Sequence, residues 1–280
     1  MIALYISIPI LLILGIWLFL IAPGKKGRMD RFKNKKYAHR GLHGAVGGEE
    51  FAAENSLTAF KRAVEHGFGI ELDVLVSSDG EAVVFHDHTL DRVTGCSGKV
   101  KDRTLAELKE LKLSGTEDTI PTLREVLDLV GGRVPLLVEL KETGSDHSIS
   151  KRVAELLEGY SGEYIVESFS PLAFGEIRAR VPDAPCGFLL DKHTAYEKTR
   201  TVQYRLLQRC IFNFIARPAF ISLNHKTPKL FPVEIIRKLF RTPKIAWTVR
   251  SEAEEREAYK NGFSGVIFEG YLPSETENNN

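Results

Sequence analysis

The chain has 280 residues, 43% of them hydrophobic and 27% charged, which suits one large globular domain with a full apolar core. A formal net charge of +1 gives no case for a nucleic-acid partner, because surfaces that track phosphates need a marked basic excess. Cys96, Cys186 and Cys210 are odd in number and widely spaced, which argues against a disulfide framework or a zinc site.

Residues 2–22, "IALYISIPILLILGIWLFLIA", carry no charge. About 20 such residues span a bilayer's hydrocarbon core, and Trp17 lies near one end, where amphipathic rings often sit. A cleaved signal peptide would instead show a basic start and a shorter apolar core. A basic run follows, through Lys25, Lys26, Arg28, Arg31, Lys33, Lys35 and Lys36. The expectation is a transmembrane helix within residues 1–24 and a basic juxtamembrane linker over 25–36. The positive-inside rule then makes the protein a single-pass cell-membrane protein with its main domain cytoplasmic and a lipid bilayer as partner.

From residue 37 to 272 apolar β-branched runs alternate with amphipathic stretches, and the tail 273–280 reads as disordered. Strands are predicted over 37–40, 69–74, 134–140, 163–169, 186–190, 219–223, 244–249 and 265–269. Helices are predicted over 56–67, 122–132, 146–160, 171–181, 232–240 and 251–262. Alternation of this kind defines the α/β class, a parallel sheet covered by helices. Eight strands close into a (β/α)8 TIM barrel. Residues 81–86, "EAVVFH", follow the second strand too soon for a crossover helix, so they form a β-hairpin insertion with it. A turn centred between Asp79 and Gly80 would set Asp73 opposite His86. Residues 191–218 resist assignment. "RCIFNFIARPAF" is either an ordinary barrel helix or an apolar patch touching lipid.

Several polar residues stand where a core belongs. Glu71 and Asp73 are two apart in a strand and so share a face. Glu139 is a third acid, in the apolar run "VPLLVEL". Clustered carboxylates repel unless a cation joins them, and they are hard ligands suited to Mg²⁺ or Ca²⁺. The competing account is a buried ion pair, Glu139 with Lys141 or Glu71 with Arg40. His39 and His86 end strand segments and suit a general acid and general base. Arg40 offers a fork that matches phosphate oxygens, and Lys141 adds a point charge. Glu54 lies just outside a helix start, where Asn55 or Ser56 is the cap, and could face the barrel mouth. Trp247 and Phe169 close strands and either contact substrate or pack in the core. The Gly-rich stretch 41–56 is read as a mobile mouth loop. His43, His66, His88, His147, His193 and His225 read as surface or supporting residues.

The ordered segments "AHRG", "ENSLTAF", "GIELDV", "VVFHDHTLDRVTG", "IPTLREVL" and "LLVELK" resemble the signature of glycerophosphodiester phosphodiesterases. The likeness is dense over about residues 37–142 and thinner to 269, through "ESFSP" and "AWTV". It implies a (β/α)8 barrel with the hairpin insertion, and His39 and His86 as acid and base. It also implies a divalent metal, Ca²⁺ or Mg²⁺, on Glu71, Asp73 and Glu139, with Arg40 and Lys141 facing the phosphate. The reaction implied splits a glycerophosphodiester into sn-glycerol 3-phosphate and an alcohol. Ser56, where the family often has Thr, the long 41–54 loop and "IFEGY", where many relatives carry Asp, depart from the pattern. A membrane-tethered member would have lysophospholipids within reach as substrates. Two readings of other classes stand beside this one: a non-catalytic barrel binding a phosphorylated ligand, and a metal-dependent aldolase-type barrel.

Overall fold

A computed structural model describes residues 2–24, 29–142, 146–191, 206, 209–227 and 230–274. Within them the strands are β1 (Lys35–Ala38), β2 (Gly69–Val76), β3 (Ala82–Val84), β4 (Leu136–Leu140), β5 (Tyr164–Ser168), β6 (Cys186–Leu190), β7 (Phe220–Asn224), β8 (Lys244–Val249) and β9 (Gly265–Phe268). Eight of them run parallel in the order β1-β9-β8-β7-β6-β5-β4-β2, and pairing of β1 with β2 closes the barrel. The strands read as near-continuous apolar runs because both faces are covered, one by helices and one by the barrel interior.

The outer layer follows from helix chemistry. The helix Leu57–Glu65 starts at Ser56, whose hydroxyl accepts from Ala59 N–H at 3.1 Å. The helix Leu123–Val130 opens on a reciprocal Thr122–Glu125 cap and buries Leu123, Val126, Leu127 and Val130, one face at helical spacing. It stops at Gly131, whose φ of +54° favours glycine. At the base of the barrel Met29 and Phe32 join Tyr37, Leu137, Ile165 and Phe220 in an apolar plug. Gly187 makes this plug possible, since a Cβ there would fall 2.1 Å from the Phe220 ring.

The hairpin forms, with β3 antiparallel to β2, but its register differs from the expectation. Val74 pairs with Val84 and Val76 with Ala82, and Phe85 N–H bonds the Asp73 carbonyl at 3.0 Å. Asp73 therefore faces Phe85, not His86. The cause is the turn. Ser77 N–H bonds the Glu81 carbonyl at 3.0 Å, Glu81 N–H bonds Ser77 Oγ at 3.0 Å, and Gly80 takes φ +84°. This centres the loop on Asp79 and shifts the partner strand by one residue.

The N-terminal expectation is corrected. Residues Ile2–Ile21 form a helix, with side chains described from Tyr5 on, Ile6 excepted. Among the described residues, no helix is long and apolar enough to cross a membrane. The end of this helix is used by the domain instead. Ile21 is buried, Trp17 stacks on Phe231 with centroids 6.3 Å apart, and the Arg217 guanidinium lies 5.1 Å over the Phe19 ring. The Ile21 carbonyl accepts from Asn213 Nδ2 at 2.9 Å. The transmembrane helix over residues 1–24 and the single-pass cell-membrane location are thus overturned. The cytoplasmic placement rested on that anchor and falls with it.

Part of the basic stretch 25–36 also belongs to the domain. Met29–Phe32 form a 3₁₀ turn, and buried Lys36 pairs with Glu255 at 2.8 Å. Lys25, Lys26 and Arg28 lie outside the described residues, as do most of 191–218 and the tail beyond Ser274. Of "RCIFNFIARPAF", Asn213–Ala216 form a short helix that holds Ile21 against the barrel.

Candidate active site

The parallel register carries the acids to one end of the barrel. Asp73 on β2 is level with Glu139 on β4, and Glu139 is level with Glu167 on β5. Glu71, Asp73 and Glu139 are buried, and each offers a ligand oxygen within 4.8 Å of the other two. Lys141 Nζ lies 2.8 Å from Asp73 and 2.7 Å from Glu139, so the Glu139–Lys141 ion pair anticipated as the competing account is present too. Glu71 is paired differently, accepting from the backbone N–H of Arg40 at 2.8 Å. That bond holds Arg40 at φ +56°, a conformation costly for a non-glycine residue.

Charge balance argues for a cation here. Four buried carboxyls, Glu71, Asp73, Glu139 and Glu167, share the floor with two fixed cations, Arg40 and Lys141. Burial raises Glu71 and Glu167 well above the ordinary carboxyl range and Glu139 to about 7, with acidic neighbours adding to the shift of each. Burial acts on Asp73 in the same sense, but Lys141, His86 and Arg40 outweigh it and hold Asp73 well below its usual value. The floor must therefore take up protons or a cation of charge two. The three clustered acids form an all-oxygen set that fits a hard divalent ion.

Two imidazoles face this floor. His39, just past β1, has Nε2 4.0 Å from Glu71 and Nδ1 2.6 Å from Glu269 Oε2. His86, just past β3, has Nδ1 2.6 Å from Asp87 Oδ1. Glu269 is held at about 2 by its bond to His39, and burial lowers His39 to about 4, so near neutral pH a carboxylate faces a neutral ring. The ring must then donate from Nδ1, which leaves the Nε2 lone pair toward the cavity. The same logic holds for His86, lowered by burial, and Asp87, held low by Arg92 and His86 against burial's opposing pull.

A cavity of about 240 Å³ opens above the floor, bordered by both histidines, Arg40, Glu167, Phe169 and Trp247. The Trp247 and Phe169 rings meet edge to face at 6.0 Å, and the Trp247 Nε1 is buried with no partner among the described residues. Glu54 does not line this cavity. It accepts from Arg40 Nη1 at 2.9 Å and from Arg92 at 2.6 and 2.8 Å, fixing the Arg40 fork.

Sequence reasoning missed three groups. Asn55, one of the two candidate helix caps, instead donates Nδ2 to Asp73 Oδ2 at 2.9 Å, in a φ of +54°, and Ser56, the other candidate, is the cap. Glu167 sits in "YIVES" with the signal that exposed Glu139, an acid in an apolar strand. Glu269 was noticed only as a departure at a strand end. Its bond to His39 joins residues 230 apart in sequence. The 41–56 loop, read as mobile, is pinned by a Gly44–Ala52 bridge and by Arg62, which donates to the Glu50 carbonyl at 2.5 Å.

Clustered acids that could hold a metal, paired imidazoles and a positively charged fork at the C-terminal end of a (β/α)8 barrel fit the class of phosphoryl-transferring hydrolases. The comparisons narrow this. Residues 39–270 match the glycerophosphoryl diester phosphodiesterase family. A glycerophosphodiester phosphodiesterase of Caldanaerobacter subterraneus subsp. tengcongensis is 31% identical over 230 residues, covering 76% of this chain and 87% of the relative. A lysophospholipase D of Homo sapiens is 30% identical over 151 residues, 49% of this chain and 45% of its own length. The structure of an Oleispira antarctica phosphodiesterase in complex with the product sn-glycerol-3-phosphate superposes with a TM-score of 0.70 at 26% identity, covering 85% of this chain and 94% of that one. The chain belongs to the glycerophosphoryl diester phosphodiesterase family and is a phosphoric diester hydrolase. The non-catalytic and aldolase-type readings fall with that membership.

Proposed function

We propose that His39 and His86 are the proton-transfer pair for hydrolysis of a glycerophosphodiester to sn-glycerol 3-phosphate and an alcohol. The observation that carries the reading is the matched pair of histidine–carboxylate contacts at Nδ1, on two rings that border one cavity with Glu71 and Glu139. Arg40 and Lys141 orient the phosphoryl oxygens, with Glu54 holding the Arg40 fork in place. One imidazole takes the proton of the attacking hydroxyl or water, and the other returns a proton to the leaving alcohol oxygen. Glu71, Asp73 and Glu139 would hold a divalent ion, Mg²⁺ or Ca²⁺, which when bound would supply positive charge against the charge developing on the phosphoryl oxygens. Trp247 and Phe169 wall the glycerol side.

The leaving alcohol extends into a second cavity of about 540 Å³, which shares Lys141 with the first and is bordered by Ser77, His88, Lys99 and Lys101. A lysophospholipid substrate is the second reading. The likeness to the human lysophospholipase D and the apolar walls Phe169, Leu189, Trp247 and Ile267 favour it. The test assays the full chain on glycerophosphocholine and on lysophosphatidylcholine micelles, with Mg²⁺, Ca²⁺ or EDTA. Metal-dependent release of glycerol 3-phosphate from the first substrate is expected. Release of lysophosphatidic acid alone would move the reading to the lipid substrate, and equal rates in EDTA would remove the metal from it.

A further inference from the structure

Beside the oxygen-lined floor lies a second cluster of different chemistry. His39, His43 and Glu269 each present a ligand atom within 4.8 Å of the other two. His43 stands on the loop that the Gly44–Ala52 bridge pins, and its own N–H bonds the Gly41 carbonyl at 2.9 Å. Its Nε2 is buried and has no hydrogen-bond partner among the described residues. A buried, unpartnered ring nitrogen is costly unless a ligand satisfies it. Glu269 Oε2 already lies 2.6 Å from His39 Nδ1 and 3.3 Å from Arg250 Nη2, so it is fixed toward the cluster.

We propose that His39, His43 and Glu269 form a second metal site, selective for Zn²⁺ and similar borderline ions, whose occupation switches off His39. Two imidazoles and one carboxylate suit Zn²⁺ or Co²⁺, whereas the all-carboxylate floor suits Mg²⁺ or Ca²⁺. The two sites therefore sort ions by ligand type while meeting at one ring. An ion at His39 takes the Nδ1 lone pair, and the ring proton moves from Nδ1 to Nε2. Nε2 then carries hydrogen and has no lone pair to accept a proton from a nucleophile. Glu269 exchanges its hydrogen bond for a bond to the ion. No oxidation or reduction is involved.

Zn²⁺ is titrated into the full chain at saturating Mg²⁺, reading hydrolysis and, separately, Zn²⁺ occupancy against a chelating dye. The native chain is compared with His43→Ala and with His43→Asn. Without Zn²⁺ both variants are expected to turn over like the native chain, since His43 takes no part in the reaction. Both are expected to need at least about tenfold more Zn²⁺ for half-occupancy and for half-inhibition. Superimposable occupancy curves for native and variant chains would overturn the site. A shift in occupancy with none in inhibition would overturn the effect on His39. The inhibition arm rests on the proton-transfer role proposed for His39, and the dye arm does not. A chain that binds Zn²⁺ through His43 yet hydrolyses nothing would keep the site and count against that role alone. With Co²⁺ in place of Zn²⁺, visible absorption of the nitrogen-ligated ion is expected in the native chain and lost in both variants.

Discussion

On one side of the mouth His39 continues a barrel strand, 17% exposed, with its carboxylate partner Glu269 supplied from the opposite end of the sequence. On the other side His86 continues the hairpin, 30% exposed, with its partner Asp87 the very next residue. The contact geometry is the same, a carboxylate 2.6 Å from Nδ1, and both rings border the same cavity. The supports differ. His39 is bound into the closed barrel and burial lowers it to about 4, while His86 rides on an inserted hairpin and is reached by solvent. Of the two histidines proposed to transfer protons, one is thus tuned by the core and the other by a local insertion.

Substitution tests this contrast most strongly. His39→Ala is expected to lower kcat by about 10⁴-fold and His86→Ala by about 10²-fold, the two ends of the range for general acid–base groups. Added imidazole should rescue only His86→Ala, because solvent reaches that position. Equal losses with rescue of both variants would erase the distinction.

Stability against pH is the next measure, on the metal-free chain. His39 is lowered in the folded state from 6.5 to about 4, so between those values the unfolded chain binds the extra proton. Stability from this group is complete above 6.5 and is lost as pH falls through about 4, by about 3 kcal/mol. Glu139, raised to about 7, acts oppositely, contributing stability below 4.5 that is lost as pH rises through 7. The readout is therefore the difference in denaturation free energy between the native chain and His39→Gln across this window. A flat difference would contradict the burial of His39. The same comparison for His86→Gln should show a smaller slope.

The smallest effect is expected from the supporting carboxylates. Glu269→Gln keeps a hydrogen bond but can present an amide donor to Nδ1 and so favour the wrong tautomer. It should cost about 10- to 100-fold in kcat and move one limb of the pH–rate profile. Asp87→Asn should cost less than about tenfold, because the His86 ring it supports is itself more exposed, 30% against 17% for His39. A larger loss in Asp87→Asn would reverse the order of the two sides.

The helical faces and strand runs were legible because burial imposes periods of 3.6 and 2 on the chain; each barrel strand overlaps its predicted run, though β1 starts two residues early and leaves His39 and Arg40 past its end. The acids Glu71, Asp73 and Glu139 were legible for a related reason: a carboxylate in an apolar run needs a cause. Glu167 carries the same signal. The hairpin was legible in kind but not in register, because side-chain contacts in the Ser77–Glu81 turn decide a one-residue shift that its composition does not reveal. The N-terminal apolar run was read as a span. Hydropathy reports apolar surface without saying that Ile21, Trp17 and Phe19 meet Asn213, Phe231 and Arg217.

By itself the sequence determined the alternating α/β plan, the acidic and histidine set with its Arg40 and Lys141, and the family. These follow from local pattern and from motifs within a few residues of one another. Only the tertiary structure decided that Glu269 orients His39, that Asn55 serves Asp73 and that His43 comes within ligand distance of both His39 and Glu269. Closing the barrel brings its last strand beside its first, and contacts across that seam have no signature in any short stretch of chain.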